Sequence, residues 1–186
     1  MNPSLELIIG PMFSGKTSEL IRQLVTYSKA NLKVLYVNSN LDTRCEKAFS
    51  THNSSLSSSQ NINMIKAKNL LDVQHLIPDV DVVGIDEAQF FPDLVDFYKL
   101  VVEVHNKCLV VGGLSGTSDR TQFGRITDLV PFCDNIVFLH SFCTRCALDK
   151  KIVKAPFTKR IVDLQETVCI GGAESYVPVC RFHFDN

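Results

Sequence analysis

A parallel α/β sheet flanked by helices, followed by a small cysteine-bearing second unit, is the fold class that this sequence predicts. Three observations carry it. Short apolar runs that read as buried strands alternate with helical patterns, and a glycine-bounded loop joins the first run to the first helix. After Phe142 the texture changes to cysteine pairs, short strands and loops.

The first run, Leu5, Leu7, Ile8 and Ile9, is stopped by Gly10-Pro11 and reads as a short buried strand. A helix is expected over residues 17–30, where Leu20, Ile21, Leu24 and Val25 recur at spacings of three and four and so build one apolar stripe. Residues 34–37 (VLYV) read as a second buried strand, and strand, helix and strand at this spacing make a parallel βαβ unit. Residues 51–63 (THNSSLSSSQNIN) are mostly Ser and Asn with few apolar side chains, so a mobile loop is expected there. A third strand is expected over 80–85, a helix over 97–105, a strand over 108–111 ending before Gly112-Gly113, and a last strand over 137–140. The division that follows is a nucleotide-binding α/β domain over 1–141 and a small domain over 142–186, with no internal repeat.

The 186 residues suit one domain with an appendage, and the 45% hydrophobic content is enough for a core. A net charge of −1 provides no overall basic field, so neither nucleic acid nor an anionic membrane is an expected partner. The opening apolar run is too short and lacks the basic flank of a signal peptide. A cytoplasmic location is therefore expected, and the seven cysteines read as thiols or metal ligands rather than disulfides.

Gly10-Pro11-Met12-Phe13-Ser14-Gly15-Lys16-Thr17 fits G-x-x-x-x-G-K-[ST] at every position, between a strand and a helix. Successive N–H groups of such a loop point inward at phosphate oxygens, helped by the positive end of the following helix. Lys16 would reach the β- and γ-phosphates of ATP, and the Thr17 hydroxyl would hold Mg²⁺. The fold class thereby narrows to a P-loop, RecA-like parallel sheet. Asp86 and Glu87 close the third strand, at the sheet edge where ligands of open α/β folds bind. Asp86 would support the Mg²⁺ through water, and Glu87 would accept the proton of an attacking hydroxyl.

Cys143-x-x-Cys146 and Cys180-x-x-His183 form two pairs with the spacing of a tetrahedral Zn²⁺ site. Four protein ligands leave no position for water, so the expected site is structural. The metal would close a loop running through roughly residues 150–179. Cys45, Cys108, Cys133 and Cys169 have no such pairing.

Gly-Pro-Met-Phe-Ser-Gly-Lys-Thr together with Asp86-Glu87-Ala88-Gln89-Phe90-Phe91-Pro92-Asp93 closely resembles the type II thymidine kinases, cellular and poxviral. The likeness continues in Asp42-Thr43-Arg44, Thr51-His52, Leu114, Phe123-Gly124, Thr158-Lys159-Arg160 and Ile170-Gly171-Gly172-Ala173, and so spans nearly the whole chain. It implies transfer of the γ-phosphate of ATP to the 5′-hydroxyl of thymidine, and of deoxyuridine in some degree. It also implies a homotetramer and feedback inhibition by dTTP. By the same resemblance Asp42, Arg44 and Gln89 join the phosphate-binding residues, with Arg44 neutralising charge on the transferred group. Met12, Phe90, Leu114, Phe123 and Thr158 would wall the base pocket. Thr167, Val168, Cys169, Ile170 and Gly171, followed by Tyr176, would form a lasso that holds the base largely through its main chain.

There are two departures. His183 stands where many relatives have a fourth cysteine, and imidazole is a sound zinc ligand. Ser118 stands where relatives commonly carry an aromatic that contacts the nucleoside; losing that ring could remove about 0.5–1.5 kcal/mol of stacking. Besides a purely structural zinc module with a degenerate P-loop, two other readings stay open at this level. One is a kinase of another deoxynucleoside. The other is a nucleic-acid-stimulated P-loop ATPase with a zinc ribbon, suggested by Asp-Glu-Ala-Gln, although the chain is short for two ATPase lobes.

Overall fold

The computed structural model describes residues 2–41, 61–162 and 172–186. Six parallel strands form the main sheet: β1 (Ser4–Gly10), β2 (Val34–Ser39), β3 (Ile62–Ala67), β4 (Val82–Ile85), β5 (Cys108–Leu114) and β6 (Asn135–Phe138). Their spatial order is β3-β2-β4-β5-β1-β6. Every pairing is parallel, as crossovers through helices require. The strand that carries the phosphate loop and the strand that ends in the acidic pair are not neighbours: β5 lies between them.

Period-two alternation along the strands splits the core into two layers. Ile8, Tyr36, Val82 and Val110 face one side, where Leu20 and Leu24 of α1 (Lys16–Lys29) cover them. Leu7, Ile9, Leu35, Val37, Val83, Ile85 and Val111 face the other, under a 3-10 helix (Leu70–Asp79), α2 (Leu94–Tyr98) and a second 3-10 helix (Ile126–Phe132). Strands buried on both faces carry near-continuous apolar runs, which explains why these segments were legible in the sequence.

Several expected boundaries move. Residues 80 and 81 fall before β4, because Val80 ends the Leu70–Asp79 helix and the Asp81 carboxylate is occupied with the Lys33 N–H. The 108–111 strand runs on through Gly112 and Gly113, which pair in register with Ile8 and Ile9. The helix expected over 97–105 begins earlier, as α2, and passes into a π-helical stretch (Lys99–Val104). Strand 137–140 shifts to Asn135–Phe138. Ile62 and Asn63, expected in a mobile loop, begin β3, the Asn61 carbonyl accepts the Val34 N–H just before it, and residues 51–60 of that loop lie outside the described residues.

Beyond the main sheet, β7 (Ser141–Phe142) pairs antiparallel with β8 (Lys154–Ala155), and β9 (Phe157–Arg160) with β10 (Tyr176–Val179). Two short helices, α3 (Thr144–Leu148) and α4 (Arg181–Asp185), complete this part. Its core is small: Cys143, Cys146, Ala155, Val179 and Cys180, with Phe157, Val177 and Phe184 against them. Among the described residues no helix is long and apolar enough to cross a membrane.

Candidate active site and metal centre

The loop after β1 has the backbone that its sequence demands. Gly15, at the N-terminus of α1, sits at φ +85°, a left-handed conformation that side chains disfavour, and Phe13 sits at φ +62°. Lys16 is buried, and its Nζ donates to the Pro11 carbonyl at 2.7 Å. Its ammonium is thus folded back over the loop, where a phosphate would compete for it.

Asp86, at the end of β4, is 2% exposed. It accepts hydrogen bonds from the Tyr36 hydroxyl (2.9 Å), the Thr17 hydroxyl and the Glu87 N–H (3.0 Å). The Thr17 contact bridges the phosphate loop to β4 across the intervening strand. Tyr36 was missed at the sequence level, although a tyrosine inside a buried strand needs a partner for its hydroxyl and so signals a polar neighbour. Burial, and then the charge of Glu87, push the Asp86 carboxyl up to about 6 despite these bonds. A carboxyl that binds its proton more tightly folded than unfolded gives stability that is complete below pH 4 or so and lost as pH rises through about 6. Asp86→Asn is therefore expected to gain stability relative to the parent at about pH 7.5 in nucleotide- and metal-free buffer, and to gain less near pH 5. Thermal melts at the two pH values measure this, and an advantage that grows on acidification would contradict it.

Glu87 sits at φ +50°, in the left-handed region, so the backbone turns sharply as it leaves β4. The Gln89 side-chain N–H donates to the Glu87 carboxylate at 2.5 Å, while the Gln89 carbonyl oxygen accepts the Leu114 N–H at 3.0 Å. Gln89, expected among the phosphate-binding residues, thus has its amide turned toward Glu87 and the end of β5. Gly124, at φ +58°, lies against the Gln89 main-chain carbonyl, where any side chain would collide.

Met12, Phe13, Gly15, Lys16, Thr17, Ser18, Glu87 and Leu114 line one pocket. The phosphate loop, the carboxylate after β4 and the end of β5 therefore meet in a single cavity. Thr158 joins them from β9: its Oγ1 accepts the Met12 N–H at 2.9 Å, in a buried contact. Phe90 and Phe123 pack edge to face at 5.7 Å. Ser118 lies half-buried in the turn after β5. Tyr176 is buried, with the Arg160 guanidinium 5.7 Å from its ring centre. Asp42, Arg44, Thr167, Val168, Cys169, Ile170 and Gly171 lie outside the described residues, as do Cys45 and Cys169 among the unpaired cysteines. β9 and β10 bring the two flanks of the 163–171 segment together, with Arg160 opposite Tyr176.

Cys143, Cys146, Cys180 and His183 converge so that their ligand atoms all lie within 4.8 Å of one another. His183 Nδ1 is 3.5, 3.4 and 3.4 Å from the Cys143, Cys146 and Cys180 sulfurs, and the Cys146 and Cys180 sulfurs are 3.9 Å apart. A tetrahedron with Zn–S near 2.3 Å and Zn–N near 2.0 Å requires about 3.5 Å between N and S and about 3.8 Å between sulfurs. The cluster has the dimensions to hold zinc. Burial raises the Cys143 thiol pKa, but backbone N–H groups of Cys146 and Cys180 and the His183 ring outweigh it and hold the value near 6. Burial and the neighbouring sulfurs push Cys146 up to about 11.

Comparison with known proteins agrees with this arrangement. The family model described as thymidine kinase matches residues 3–184. The chain is 38% identical to the thymidine kinase of Myxoma virus (strain Uriarra), over 95% of this chain and 93% of that protein. It is 37% identical to those of Vaccinia virus (strain Ankara) and Variola virus (isolate Human/India/Ind3/1967), over 95% of this chain and 94% of each. Among solved structures, the flagellar accessory protein FlaH of Methanocaldococcus jannaschii superimposes with a TM-score of 0.54 at 16% identity, covering 77% of this chain and 73% of that one, a likeness of fold alone. With a match this long on both sides, the chain belongs to the thymidine kinase family.

Proposed function

We propose that this protein is an ATP-dependent thymidine kinase that makes the 5′-monophosphate. The single observation that carries the reading is the shared pocket, which Lys16, Thr17, Glu87 and Leu114 line together. Family membership supports thymidine as the acceptor.

In this reading the loop N–H groups and Lys16 hold the triphosphate. Glu87 takes the proton from the 5′-hydroxyl as that oxygen attacks the γ-phosphorus, and the bond to the β-bridging oxygen breaks to release ADP. Gln89, at the phosphate end by resemblance, also orients Glu87. A Mg²⁺ ion would neutralise phosphate charge, with Thr17 and Asp86 as the residues to hold it. Asp42 and Arg44 belong to the phosphate end by resemblance alone. Met12, Leu114, Phe90, Phe123 and Thr158 wall the base, with Ser118 in the place of an aromatic. Residues 167–171 and Tyr176 close over the nucleoside from the small domain, 142–186. Zinc on Cys143, Cys146, Cys180 and His183 supplies no chemistry to the transfer and fixes that domain. The homotetramer, dTTP inhibition and cytoplasmic location are part of the same proposal.

Transfer of labelled γ-phosphate from ATP to a panel of nucleosides, with and without Mg²⁺, tests the reading. Label in thymidine monophosphate, dependent on Mg²⁺, is expected. Preference for another deoxynucleoside moves the specificity, and ATP hydrolysis stimulated by DNA or RNA but not by thymidine overturns the reading.

A further inference from the structure

The turn after β5 carries Ser118 and leads to Phe123, and one residue in it reaches the metal-binding unit. Thr117 and Thr121 knit this turn: their hydroxyls are 2.7 Å apart, and the Thr117 N–H donates to the Thr121 carbonyl at 3.0 Å. Between them Arg120 sits at φ +60°, a conformation uncommon for a residue with a side chain. Such backbone persists where the surroundings over-determine it. Here the Arg120 N–H donates to the Thr117 carbonyl at 3.1 Å within the turn, and the guanidinium adds contacts beyond it. It lies 4.3 Å from the ring centre of Phe184 and 5.8 Å from that of Phe157, and its Nη1 is 3.1 Å from an Asp185 carboxylate oxygen.

Phe184 and Asp185 belong to α4, directly after His183 of the Cys/His cluster, and Phe184 packs on Phe157 of β9 at 5.4 Å. Lys159 of β9 in turn donates to the His183 carbonyl at 3.0 Å. At its other end the turn runs to Phe123, which packs on Phe90, and to Gly124, which lies on Gln89. A continuous set of contacts thus joins the metal-binding helix to the proposed base wall through Arg120. Being planar, the guanidinium can stack on an aromatic face and pair with a carboxylate at once, which an ammonium does less well.

We propose that Arg120 is a positioning residue: it latches the Ser115–Phe123 turn to α4, so that nucleoside affinity depends on the metal-tied unit. The role rests on the thymidine kinase reading above. Each contact alone is weak, because Arg120 and Asp185 are about half exposed. Together they decide how often the turn is in its binding-competent form, and an ordering cost left unmet appears as lost affinity.

Arg120→Ala, Arg120→Lys, Asp185→Asn and the Arg120→Ala/Asp185→Asn pair test this in the metal-loaded enzyme. Arg120→Ala is expected to raise the thymidine KM about tenfold, to leave the ATP KM within about twofold, and to keep metal content and Tm near the parent. Hydrogen exchange over residues 115–124 should quicken by a similar factor. Arg120→Lys should recover part of both effects, and Asp185→Asn should add little to Arg120→Ala, because the two act through one contact. An unchanged thymidine KM, a parallel rise in both KM values, or full additivity in the double variant overturns the latch. If the parent phosphorylates no thymidine, the functional reading fails, and exchange in the 115–124 turn still decides whether the latch exists.

Discussion

Replacing Glu87 with Gln is expected to lower kcat by about two to four decades, the range for losing a positioned general base, while ATP still binds. The substitution keeps the side-chain size and the contact with Gln89, but it removes the proton acceptor. The phosphate loop is untouched, so affinity for an ATP analogue, measured by calorimetry, should stay within about threefold of the parent. Because Glu87 would act on the proton only as the transfer proceeds, the loss should fall on kcat more than on the thymidine KM. A variant keeping more than half of its turnover would remove Glu87 from this role.

Stripping the metal from the Cys/His cluster is expected to have the second large effect. Three of the five buried residues in this small core are cysteines of the cluster itself, so little apolar area remains to hold β7 to β10 without an ion. Structural zinc contributes about 10–16 kcal/mol in small zinc peptides, comparable with the whole net stability of a domain. Chelation, or Cys146→Ser, should therefore release about one metal per chain and weaken thymidine binding about 100-fold, the scale of re-ordering a few residues. Binding of an ATP analogue to the six-stranded sheet should largely survive, although the Thr158 contact to the Met12 N–H of the phosphate loop is disturbed. Thymidine affinity unchanged in metal-free protein would show that the small domain holds its shape by other means.

The reasons for what the sequence reveals, and what it does not, are physical. Strands buried on both faces carry near-continuous apolar runs, so β1, β2 and β5 stand out, and a phosphate loop imposes glycine and lysine at fixed offsets. Two cysteine-type pairs point to the cluster because a tetrahedral ion accepts few spacings. By contrast, β3 (INMIKA) is only partly buried, and the 3-10 helix over Leu70–Asp79 has Pro78 within it, so neither gives a clean period. The turn of Gln89 toward Glu87 and Leu114 could not be read, because a side chain's choice of partner depends on β5 lying next to β4. Arg120 is similar: Phe184 and Asp185 lie more than sixty residues further along the chain, in α4, and Phe157 lies in β9. Resemblance named the base-pocket residues, whereas composition and periodicity alone would have assigned Val168, Ile170 and Tyr176 to a packed strand.

A structure of the enzyme with thymidine, Mg²⁺ and a non-hydrolysable ATP analogue bears most directly on the central claim, that one cavity brings phosphate donor, proton acceptor and nucleoside together. The expected result places the 5′-hydroxyl within about 3.2 Å of the Glu87 carboxylate and in line with the γ-phosphorus, with Lys16 released from the Pro11 carbonyl to the phosphates. A nucleoside bound away from Glu87, or a triphosphate bound elsewhere than the loop from Gly10 to Thr17, would contradict it.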